Sequence, residues 1–146
     1  MYRKTEAACV FFTGATAYTL IEMMWRGYSH PTMTVTGGVC MLVIHGINHS
    51  VRAKNRLAAF LKKCAVSAIC ITFVELCVGV IVNMWLGLGV WDYSSVPGNV
   101  LGQICPAYSA AWFGVSAAAI LLSDVFDLLF EAIEKRENRQ YEKEKI

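Results

Sequence analysis

The sequence predicts an all-α, polytopic integral membrane protein: a four-helix transmembrane bundle with a short interfacial helix and a charged C-terminal helix. Three observations predict it. The 146 residues are 56% hydrophobic, with a mean hydropathy of +0.47. Four apolar runs approach the roughly 20 residues that a helix needs to cross the hydrocarbon core, and together they take up most of the chain. Finally, twelve of the thirteen Lys and Arg fall in three places: the N-terminus, residues 52–63 and the C-terminal tail. Basic residues concentrate in cytoplasmic segments of membrane proteins. The partition therefore puts both termini and residues 51–63 in the cytoplasm, and residues 26–30 and 86–99 outside.

Span 1 covers residues 7–25. It has the charged start of a signal peptide but no small-residue cleavage site, so it reads as a retained span. A tight connector leads to Pro31, whose missing N–H suits the first turn of a helix. Span 2 covers residues 31–48, and its Gly37-Gly38 pair lets a neighbouring backbone come close. Residues 51–63 interleave basic and apolar side chains, as a helix lying on an anionic leaflet does. Span 3 covers residues 64–85, an outer loop follows over 86–99, and span 4 covers 100–122, with Pro106 kinking it or resetting its start. Ala110, Gly114 and Ala118 place small residues at four-residue spacing, a close-packing signature. Residues 1–122 thus form the transmembrane domain. Residues 123–146, with seven acids and five bases, form a cytoplasmic amphipathic and charged tail.

Composition excludes several functions. The net charge of +2 is too small for a nucleic-acid partner. The six cysteines contain no C-x-x-C pair, and most fall within spans as small packing residues. His45 and His49 are one helical turn apart, but no third ligand lies near them in the sequence, so no metal is assigned. No Walker motif, Gly-rich phosphate loop or G-x-S-x-G is present. The sequence asks for no cofactor and leans away from an enzyme.

The candidate site comes from polar residues in apolar surroundings. Glu22 and Glu75 are the acids inside the spans, and a carboxylate near mid-bilayer costs roughly 2.5 kcal/mol or more, so it faces the bundle interior or a water-filled cavity. Glu22 and Arg26 are four residues apart, within reach on one helical face. Glu75, Gly79 and Asn83 recur at four-residue spacing, a polar stripe whose deep end lies ~15 Å below Trp85. The outer segments add Trp25, His30, Trp91, Asp92, Tyr93, Asn99 and Gln103. An aromatic belt explains Trp91 and Tyr93 singly, and Asp92 can cap a turn. Their concentration opposite IEMMWRGYSH points to one outward-facing polar cavity that binds a small polar or charged substrate.

The stretch from Ile21 to His30 and the stretch from Trp85 to Cys105, with WDYS, Pro97, Asn99 and GQIC, resemble the putative ABC-transporter type IV permeases, CmpB-like small membrane proteins. The resemblance covers residues 10–130. It implies a transport role in a bacterial cytoplasmic membrane and marks Glu22, Trp25, Arg26, Gly27, Ser29, His30, Glu75, Asn83, Trp91, Asp92, Tyr93, Ser94, Pro97, Asn99, Gly102 and Gln103.

A permease or transporter component is therefore the leading expectation. Four spans rarely enclose a pathway alone, so a homodimer or a partner membrane subunit is expected, with a separate ATPase subunit as a further partner. Two other classes stay open. One is a membrane-embedded enzyme acting on a lipid or envelope precursor, with Glu75 or Asp92 as base and His30 as acid. The other is a non-catalytic assembly protein. Single-cysteine labelling in a cysteine-free background tests the topology: position 54 should react from the cytoplasmic side, and labelling there from outside alone would overturn the orientation.

Overall fold

The computed structural model describes residues 2–144. Among these, four helices follow one another: α1 (Tyr2–Arg26), α2 (Pro31–Ser50), α3 (Arg56–Gly79), which continues into a π-helical segment (Val80–Trp85), and α4 (Pro106–Glu144). Three stretches are long and apolar enough to cross a membrane: Lys4–Arg26, Arg56–Trp85 and Pro106–Tyr141. Many of their large apolar side chains point outward, among them Phe12, Met24, Ile69, Phe73, Leu121 and Leu128. A bundle whose surroundings are hydrocarbon has no reason to hide such groups.

Local chemistry sets the helix boundaries. Pro31 opens α2, and the His30 imidazole accepts a hydrogen bond from the Thr32 N–H as its N-cap. Asn55 caps α3 in the same way through the Leu57 N–H. From Arg56 to Gly79 there is no proline or internal glycine to interrupt the helix. Residues 56–63 are consequently the first two turns of α3, and the interfacial helix expected there as a separate element does not form. Span 4 shows one of the two effects expected of Pro106, a reset start. Its helix begins at Pro106, and residues 100–105 belong to the outer loop. The charged tail runs on from the span as one unbroken helix of 39 residues, ~58 Å at 1.5 Å per residue, about twice the ~30 Å hydrocarbon core.

α2 lies innermost. It touches α1, α3 and α4, and glycines allow the α1–α2 contact. A Cβ on Gly14 would stand 2.2 Å from the Met41 Cβ, and one on Gly37 would stand 2.3 Å from the Tyr18 Cβ. Thr19 and Thr34 hydroxyls hydrogen-bond across the same seam at 2.8 Å. The small residues of α4 behave otherwise: Ala110, Gly114 and Ala118 are all exposed. The inward face of α4 carries Ser116, Ile120 and Ser123 instead.

Two apolar clusters divide the core. One contains Cys40, Ile44, Cys64, Ile71 and Ile120. The other contains Met33, Val82, Val90 and Trp91, with Tyr18, Val78 and Tyr93 against it. The second lies under the outer loop, so that loop is packed onto the bundle. All six cysteines are free thiols.

These contacts yield a paired prediction. Gly37→Val should destabilise the protein by about 1–3 kcal/mol through forced overpacking. Gly46→Ala, where an added Cβ meets nothing within 4 Å, should be neutral or stabilising by up to ~1 kcal/mol. Thermal unfolding of both in one detergent checks this, and equal melting temperatures would contradict the packing.

Candidate functional site

One turn of helix brings Glu22 and Arg26 together, and the guanidinium donates to the Glu22 carboxylate as a salt bridge. The Ser29 hydroxyl donates to the other carboxylate oxygen at 2.6 Å. A second guanidinium nitrogen of Arg26 donates to the Val90 carbonyl at 3.0 Å, and the Tyr28 ring lies 5.3 Å from its centre. Arg26 thereby ties the end of α1 to the start of the outer loop. Glu22 is itself buried, so the pair is a latch within the protein.

Asn83 holds the loop from the other side. It stands on the π-helical segment, a widened turn of the kind that recurs at functional sites. Its side-chain oxygen accepts from the Val90 N–H at 2.7 Å, and its amide donates to the Gln103 side-chain oxygen at 2.7 Å. The Trp91 indole donates to the Gln103 backbone carbonyl at 2.9 Å. Gln103 also presses on α3, where a Cβ on Gly79 would come within 2.6 Å of its side-chain oxygen. The turn that presents Gln103 has left-handed backbone at Leu101 (φ 55°) and Gly102 (φ 67°). At Gly102 a side chain would strike the Ser94 hydroxyl at 2.5 Å.

Asn99 and Asp92 build that turn. The Asn99 amide donates to the carbonyls of Ser94 and Val96, and its oxygen accepts from the Gly102 N–H. Asp92 accepts from both the N–H and the hydroxyl of Ser94. Those two bonds hold its exposed carboxyl below the usual aspartate value.

Glu75 lies deeper and is 3% exposed. The Trp112 indole donates to it at 2.9 Å, and Tyr93 of the loop lies close by. Burial pushes the Tyr93 phenol above its ordinary value, and the Glu75 charge adds to this. Tyr93 therefore keeps its proton and can donate. Rings stack on both neighbours: Tyr18 on Trp112, with centroids 5.9 Å apart, and Tyr108 on Tyr93, at 4.6 Å.

The structure thus gathers Glu22, Arg26, Asn83, Trp91 and Gln103 around the base of the loop, with Glu75 and Tyr93 beneath. It does not gather the rest. Trp25 is 75% exposed on the outside of α1, His30 caps α2, and Asp92 and Asn99 shape a turn. The groups that do meet are bonded to one another. A groove lined by Phe12, Thr13, Thr16, Ala17 and Leu20 opens elsewhere, on the side of α1. Sequence reasoning missed Tyr18, Tyr108 and Trp112. Trp112 had a usable signal: it is the tryptophan set in mid-span, where an indole N–H needs a partner.

The family model described as putative ABC-transporter type IV matches residues 9–140. The chain belongs to that family. No curated protein and no solved structure matches.

Asn83→Leu removes both clamp bonds while keeping an apolar side chain of similar size. It should cost about 1–3 kcal/mol for each buried group left unpaired. Hydrogen exchange should speed up across residues 90–103 and stay unchanged in the α1–α2 seam. Unaltered exchange in the loop would show that Asn83 does not hold it.

Proposed function

We propose that this member of the putative ABC-transporter type IV family is a small permease component of a bacterial cytoplasmic membrane, with a substrate site centred on Glu75 beneath the outer loop. In this reading α2 is the fourth span. Its 20 residues reach ~30 Å, and its Thr36 and Asn48 side chains are buried against the other helices. Both termini and residues 51–63 face the cytoplasm, as the partition of basic residues supports. Four spans are few for a pathway, so the working unit is a homodimer or includes a partner membrane subunit. ATP is hydrolysed by a separate subunit, because this chain has no Walker motif.

The observation that carries the reading is the state of Glu75. It is buried in mid-span, and among the described residues it forms no ion pair. Glu22, by contrast, is matched by Arg26. A carboxylate held by neutral donors keeps affinity for a cation, so the ligand class is a small polar or cationic solute, or a proton. Tyr93 rides on the outer loop close to Glu75, and movement of that loop would take its ring away and open the carboxylate outward. Arg26 and Asn83 hold the loop closed until then. His30 and Asp92 are each occupied in local capping, which gives the embedded-enzyme reading no assembled acid–base pair.

Dicyclohexylcarbodiimide, an apolar reagent for carboxyl groups in membranes, tests the site. The folded protein in liposomes should be modified at Glu75, as located by peptide mass spectrometry. Arg26→Met, which unlatches the loop, should raise the rate several-fold. Glu75→Gln should fold with an unchanged melting temperature and lose the label. An unreactive Glu75 in both wild type and Arg26→Met would reduce it to a packing group.

A further inference from the structure

At the end of the bundle away from the outer loop, a second polar cluster joins three helices, and it is independent of the Glu75 site. His45 and His49 share one face of α2, with ring centroids 4.7 Å apart and planes at 85°. From α4, the Asp127 carboxylate comes within 3.2 Å of the His49 Nε2. Potential ligand atoms of His45, His49 and Asp127 all lie within 4.8 Å of one another. From α1, the Glu6 carboxylate stands 3.6 Å from the His45 Nε2. The third ligand that the sequence around the two histidines lacks is thus supplied by helices far from them in the chain.

We infer that His45, His49 and Asp127 form a binding site for a transition-metal dication of the zinc type, with Glu6 or a water completing four-fold coordination. The donor set is two imidazole nitrogens and one or two carboxylates. That mixture suits Zn²⁺ and its neighbours, whereas Mg²⁺ and Ca²⁺ prefer oxygen throughout. Bonds of ~2.0–2.2 Å put tetrahedral ligands about 3.4 Å apart, so the cluster has to tighten only slightly. His49 can supply that movement because its side chain is half exposed.

The surroundings already orient one ligand. The Nδ1 of His45 hydrogen-bonds the Ser123 hydroxyl at 2.8 Å, which leaves Nε2 on the side of Glu6. Ser123 is fully buried and also accepts from the Asn48 amide at 3.0 Å. Asn48 in turn donates to Asp124 and accepts from Lys63. Support of this kind, through the nitrogen that does not bind metal, is what ligating histidines have. A metal here would tie α1 and α4 to α2 at the end where the charged part of α4 leaves the bundle.

The full chain, purified in detergent through a tag without histidine and stripped with a chelator, tests the site with Co²⁺ as the probe. Wild-type protein should develop the visible d–d bands of four-coordinate Co²⁺, and Zn²⁺ should discharge them. His49→Ala and Asp127→Asn, both at partly exposed positions, should fold and bind Co²⁺ at least about tenfold more weakly. Ser123→Ala keeps every ligand yet should lose about 10-fold to 100-fold in affinity. Zn²⁺ should raise the melting temperature of wild type and not of His49→Ala. Wild type without d–d bands, or His49→Ala with the wild-type spectrum and affinity, would overturn the site.

Discussion

A bundle surrounded by hydrocarbon offers no outside partner for a polar group, so each such group has to find one within the protein. The rest of this structure depends on that constraint. It places α2, whose Thr, His and Asn side chains need partners, where three neighbours touch it. It pairs Glu22 with Arg26 and Ser29, and Glu75 with the Trp112 indole. It also folds the outer loop inward, because Asn83, Gln103, Val90 and Trp91 satisfy one another only when the loop lies on the bundle. Ser67 and Ser116 are the exceptions, with buried hydroxyls that have no partner among the described residues. Nothing in the structure explains them.

The two ends of the bundle meet the constraint differently. At the loop end the connections are made by a flexible-looking sequence that is in fact tightly bonded. Arg26 and Asn83 grip it from α1 and α3, and left-handed backbone at Leu101 and Gly102 aims Gln103 at Gly79. At the other end the connections run between helices, from His45 and Asn48 to Ser123 and Asp124 and from His49 to Asp127. Apolar packing fills the middle.

The latch and the buried acid differ in electrical character, and that difference separates structure from function. Glu22 and Arg26 neutralise each other, so their pairing changes little in the charge of the interior. Glu75 has an aromatic donor and, among the described residues, no cation. With Tyr93 of the loop close by, its environment depends on where the loop is.

Much of this was legible in the sequence. Helical class followed from four apolar runs, because the length and hydropathy needed to cross a bilayer are local properties. Pro31 marked the start of α2, Gly37 and Gly38 marked the close seam with α1, and Glu22–Arg26 announced its own pairing, since a four-residue spacing fixes neighbours on a helix. The polar stripe of Glu75, Gly79 and Asn83 was likewise readable as one face. What that face meets was not. The neighbours of Glu75 come from α4 and the loop, His30 and Asp92 turned out to serve their own turns, and Ala110, Gly114 and Ala118 point outward. Asp127 completes a cluster with His45 and His49 from 78 residues or more away. The sequence by itself determined periodicity, burial cost and neighbours within one helix, because those follow from geometry along the chain. Only the tertiary structure decided which faces meet, because that depends on how four helices and a loop satisfy all their polar groups at once.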